Sequence, residues 1–116
     1  MFEWLSTMYP LEAIRQSAYD FPDFIATTAS GREGYEVKYV SRPDLADLPV
    51  ALVRAKLRLY TDERLPINLV LVVRTREDVS RVMKSIWSSP KSPGMRVLIG
   101  VIEHGVFLLL ATLNES

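Results

Sequence analysis

The chain of 116 residues reads as one α/β domain spanning 1–116: a mixed β-sheet flanked by helices, in the order α-β-β-α-β-α-β-β. Three observations predict this. The run "INLVLVV" at 67–73 is apolar without alternation, which marks a strand covered on both faces. Two stretches with apolar residues at helical spacing lie on either side of it. The last part of the chain is a pair of apolar, β-prone runs around a tight turn, and strands alternating with helices favour a sheet with helices packed on it.

Each element has its own signal. Residues 4–19 predict a first helix, with Leu11, Ile14 and Ala18 on one stripe and Pro10 in its first turn, where a missing N–H costs nothing. Asp23 to Thr28 and Tyr35 to Val40 are β-prone runs separated by "SGREG", which predicts a hairpin. With Ser30-Gly31 as its turn, Asp23 faces Lys38, Ile25 faces Glu36, and all four side chains share one side. Asp47 is the expected N-cap of the next helix, with Pro49 in its first turn and Val50, Val53, Leu57 and Tyr60 as its apolar stripe. Pro66 ends that element. After the 67–73 strand, "TRED" at 75–78 opens a helix with Val79, Val82, Met83 and Ile86 on one face. "SSPKSPG" closes it, and strands Met95–Ile102 and Val106–Thr112 finish the chain around Glu103-His104-Gly105.

Composition removes several classes of function. The chain has no cysteine, so thiolate metal sites and cysteine nucleophiles are excluded. A single histidine, His104, excludes a histidine-rich zinc centre and reads as a surface turn residue. Net charge is zero, unlike avid nonspecific nucleic-acid binders. The charge is uneven, however: residues 74–96 hold six basic and two acidic side chains, a net of +4. The start "MFEWLSTMYP" lacks the pattern of a signal peptide and no apolar run is long enough to span a bilayer, so a soluble, cytoplasmic protein without a membrane partner is expected.

One constellation carries chemistry. Pro22-Asp23 is followed, after twelve residues, by Glu36-Val37-Lys38. Hydrolysing a phosphodiester drives an anionic nucleophile at an anionic centre, which a hard divalent cation assists. Mg²⁺ takes oxygen ligands and is commonly held through one or two carboxylates. Asp23 and Glu36 on neighbouring strands supply two. Lys38, on the Glu36 side, is placed to orient the attacking water and stabilise developing charge.

This PD…ExK pattern resembles the active-site signature of the PD-(D/E)xK nuclease superfamily, which has the restriction-endonuclease-like fold and includes Holliday-junction-resolvase-like members. The likeness covers residues 10–74, and the later helix and hairpin read as a peripheral extension. It implies a metal-dependent nuclease, a Mg²⁺ or Mn²⁺ cofactor, nucleic acid, DNA first, as the partner, and catalytic roles for Asp23, Glu36 and Lys38. It also implies the Val37 backbone carbonyl as a third metal ligand, with Glu12 on the first helix as an auxiliary one. The alternative is a non-catalytic nucleic-acid-binding or assembly module that keeps the fold without turnover.

Arg54 and Arg58, four residues apart on one helix face, are candidates for phosphate contact, as is Lys56 between them. Arg74 and Arg76, after the buried strand, are candidates for tracking a nucleic-acid backbone; solvation is the commoner role of all such runs. Tyr35 and Tyr39, opposite the ExK side, read as core packing. The final hairpin, apolar on both faces, leads us to expect a homodimer.

Overall fold

The computed structural model describes Trp4, Thr7 and residues 14–16, 22–29, 31–59, 66–87 and 95–115. Within these the chain forms a six-stranded mixed sheet with two helices. The strands are β1 (Ile14–Gln16), β2 (Phe24–Thr28), β3 (Gly31–Val40), β4 (Ile67–Val73), β5 (Met95–Glu103) and β6 (Val106–Glu115). Helix α1 (Asp47–Leu59) joins β3 to β4, and α2 (Asp78–Trp87) joins β4 to β5. Spatial order follows chain order, β1 to β6. Strands β3, β4 and β5 run parallel, while β1, β2 and β6 pair antiparallel with their neighbours.

Because both crossovers step the same way across the sheet, shared handedness puts both helices on one face. The apolar cluster there joins Val50 and Val53 of α1 and Val82 and Ile86 of α2 to Leu69, Leu71, Val97 and Ile99. The opposite face holds Ala26, Tyr35, Val70, Leu98 and Phe107. Trp4 packs edge-on against the Tyr35 and Phe107 rings, at centroid distances of 6.2 and 4.9 Å. All seven residues of β4 are buried, as its unbroken apolar run demands. Its one polar member, Asn68, donates to the Gly34 carbonyl at 3.4 Å and accepts from Arg96 Nε at 2.7 Å.

The expected first helix over 4–19 gives way to strand within the described residues. Trp4 is helical, with the Thr7 N–H bonded back to its carbonyl at 3.1 Å, but Ile14–Gln16 forms β1, with Ile14 opposite Ala26. Pairing with β2 outweighs the local helical spacing, as tertiary contacts override weak propensity. Leu11 and Ala18 of that stripe lie outside the described residues. In α1, Val50 and Val53 are buried as expected; the side chains of Leu57 and Tyr60 are outside the described set.

The last hairpin turns at His104-Gly105, with φ of 53° and 77°, the left-handed pair that a two-residue turn between twisted strands requires. A bulge between Ile99 and Gly100 leaves Leu110 unpaired. Gly100 is obligatory there, since a Cβ would run into the Leu108 carbonyl and come within 2.6 Å of the Phe107 ring. Tyr39 corrects its expectation as core: Tyr35 is buried, but Tyr39 is 73% exposed, because β3 extends beyond β2 at that end and no cluster covers its last outward residue.

Candidate functional site

The β2–β3 hairpin closes with Thr28 opposite Gly31 and Phe24 opposite Tyr35. The expected turn at Ser30-Gly31 is thus displaced, and the register changes by two residues. Continuing it brings Asp23 level with Glu36, where Lys38 was expected. A shift of two leaves every side chain on its original face, so Asp23, Glu36 and Lys38 still share the helix-covered side with Val40 of the core.

Two hydrogen bonds lock the pair. Asp23 Oδ2 accepts the Val37 backbone N–H at 2.9 Å. The Asp23 backbone N–H donates to Glu36 Oε1 at 3.1 Å. The Glu36 carboxylate is thereby held by the Asp23 main chain, and the Asp23 carboxylate by the main chain of Val37, the residue after Glu36. Pro22, level with Val37, has no N–H to extend the ladder, and the Asp23 carboxylate takes the donor that the ladder would have used. A residue's N–H and C=O point to the same side of a strand, so the Val37 carbonyl is turned towards Asp23 as well.

Glu36 is 1% exposed. Its other oxygen, Oε2, lies 3.7 Å from Lys38 Nζ and 3.5 Å from Lys56 Nζ of α1. Burial raises the pKa of the Glu36 carboxyl, and the charge of Asp23 and a hydrogen bond with it raise it further, while the two ammonium groups pull it down. The upward causes win: burial, with Asp23 beside it, outweighs what the two lysines compensate.

Lys56 is the residue that sequence reasoning left outside the carboxylate pair, grouped with Arg54 and Arg58 as a candidate for phosphate contact. The signal lay in its place three residues after buried Val53, which turns Lys56 inward from the exposed side. Arg54 and Arg58 lie on α1, their side chains outside the described residues, as is Glu12. Arg74 and Arg76 do not join the site. Arg74 follows the C-terminal end of β4, five residues beyond Leu69, the partner of Glu36, a separation of about 17 Å along the strand. Arg76 pairs with Glu103, its Nε 2.7 Å from Oε1 and Nη2 3.1 Å from Oε2. His104 is exposed in its turn.

Among the described residues no cluster of three or more His, Cys, Asp or Glu side chains forms a metal cage. The donors at hand are the Asp23 and Glu36 carboxylates and the Val37 carbonyl. All are hard oxygens of the kind Mg²⁺ and Mn²⁺ take, and two carboxylates suffice where water and substrate complete the shell. Burial and the repulsion between the two carboxylates, which together raise Glu36, are what a divalent cation would relieve. The donor set fits such an ion.

No protein-family model, curated protein or solved structure matches the chain. Among the described residues no helix is long and apolar enough to cross a membrane.

Proposed function

We propose that the chain is a metal-dependent nuclease of the PD-(D/E)xK type, hydrolysing phosphodiester bonds in DNA through Asp23, Glu36 and Lys38. The observation that carries this is the interlocked pair: Asp23 on the Val37 N–H and Glu36 on the Asp23 N–H, beside Lys38. A merely solvated strand face has no reason to bury a glutamate. Element order adds support. Members of the superfamily usually carry a further strand ahead of the aspartate, and β1 precedes Asp23 in that way.

Asp23, Glu36 and the Val37 carbonyl would hold Mg²⁺ or Mn²⁺, which when bound supplies Lewis-acid stabilisation of the phosphoryl oxygens and an acidified water. The chain's own groups do the rest. The Val37 N–H fixes the Asp23 carboxylate so that no rotamer search precedes substrate binding. Lys38 orients the attacking water and meets the charge that builds on phosphate oxygens. Lys56 adds a second ammonium on the helix side, placed to hold the anionic substrate once Glu36 faces a cation.

Purified protein is expected to nick duplex, single-stranded or branched DNA in Mg²⁺ or Mn²⁺, and Asp23→Ala to abolish the cutting. Failure on all three substrates, or an Asp23→Ala variant as active as wild type, overturns the assignment. A binding or assembly module without turnover is the second reading, favoured by the zero net charge. It predicts no rise in melting temperature with either metal.

A further inference from the structure

We infer that β6 is a docking edge for a second copy of this chain, paired strand to strand about a two-fold axis. The strand runs ten residues, Val106–Glu115, and β5 occupies one side of it. Among the described residues nothing pairs with the other side. Its row of N–H and C=O groups along about 34 Å is a template for another strand, which soluble proteins usually blunt with lysine, proline or a shortened edge. Among the described residues the opposite edge obeys that rule, since β1 has three residues. β6 does not: "VFLLLATL" at 106–113 has no charge and no proline. The one guarding device over 106–113, the bulge, adds the apolar Leu110 rather than a charge.

The exposed side chains indicate the same occupant. Val106, Leu109 and Leu110 are 48%, 43% and 38% exposed. Val106 is opposite Glu103 and Leu109 opposite Gly100, which places them on different faces of the sheet. A helix would cover one face only; an extended strand continuing the sheet shields both. A second copy suits this edge better than an unrelated strand, because antiparallel pairing lets one strand serve as its own partner. With no ionisable side chain in 106–113, the two-fold places no like charges opposite one another. Pairing over those residues supplies roughly eight inter-chain hydrogen bonds. An axis normal to the sheet keeps the helix-covered faces of both copies on the same side.

Sedimentation velocity and light scattering across the micromolar range test this on the full chain. The expected mass is twice 13.2 kDa, falling to 13.2 kDa in the Leu109→Lys/Leu110→Lys variant with its circular dichroism unchanged. Amide hydrogen exchange of wild type gives a second readout that needs no variant: β6 amides are protected at high concentration and lose protection on dilution. A monomeric wild type overturns the inference. So does a dimer that survives the double substitution, or one that Leu52→Lys, on the exposed stripe of α1, breaks while the β6 variant keeps it.

Discussion

Replacing Glu36 by glutamine should make the metal-free protein more stable, although it removes two ion pairs. Glu36 Oε2 faces Lys38 and Lys56 at 3.7 and 3.5 Å, but both ammonium groups are half-buried and screened, so each pair contributes about 0.2–1 kcal/mol at most. Against them stand the burial of an ionised carboxylate and its repulsion from Asp23, which together leave the Glu36 pKa above its ordinary 4.5. The amide keeps an oxygen for the Asp23 N–H, and the lysine heads can turn to water. Replacing a buried ion pair is often neutral or stabilising by about 1–4 kcal/mol, and a gain at the low end, about 1 kcal/mol, is read as about 3–6 °C in Tm for a domain of this size.

The pH dependence follows with a definite sign. A carboxyl whose folded pKa lies above its unfolded value takes up protons on folding between the two, so it favours the fold below about 4.5 and loses that contribution as pH rises through the raised value. Wild type and Glu36→Gln should melt together in chelator near pH 4 and separate as pH rises, with the variant higher. Divalent metal should reverse the order at pH 8: an ion at 100 times its Kd adds about 2.7 kcal/mol to wild type and little to the variant. Melting curves in chelator and in Mn²⁺ measure both. A variant that melts below wild type in chelator at pH 8 refutes the account of Glu36 as a strained charge.

Other outcomes can be checked with the same equipment. Asp23→Asn retains an oxygen for the Val37 N–H and should melt within about 1 kcal/mol of wild type, yet lose both the metal-dependent rise in Tm and DNA cleavage. Gly100→Val forces a side chain into the Leu108 carbonyl and the Phe107 ring; denaturant titration should show a loss of at least about 1–3 kcal/mol. Asn68→Leu strips Arg96 and the Gly34 carbonyl of a buried partner and should cost about 1–3 kcal/mol, with no effect on metal binding because Asn68 lies on the sheet face opposite Glu36.

The parts of the fold that were legible are those in which burial writes a local pattern. β4 announced itself because a strand covered on both faces has no polar alternation to show, and α2 because Val82 and Ile86 bury one face while its other face stays wet. β1 was hidden for the converse reason. Three residues carry too little pattern to compete with a helical stripe, and their conformation is decided by β2, ten residues later in the chain. Lys56 was half hidden: its spacing from buried Val53 turns it inward, but that it meets Glu36 depends on how α1 crosses β3, a tertiary fact.

That Asp23, Glu36 and Lys38 share one face does not depend on where the hairpin turns, and the reason is geometric. Strand side chains repeat every two residues, so a turn misplaced in the sum of its paired positions by an even number keeps every face and changes only which residues stand level. Asp23 moved from opposite Lys38 to opposite Glu36, and the change brings the two carboxyl groups nearer, not farther apart. An odd displacement would have sent Asp23 to the Tyr35 side and ended the case for a shared ion. The shared face depends less on the turn than on parity between positions 23 and 36, and parity is fixed by pairs such as Phe24 with Tyr35, whose two aromatic rings turn to the face away from α1. The apolar face of the hairpin thereby sets the polar one: packing Tyr35 inward beside Trp4 is what turns Glu36 towards Asp23 and the lysines.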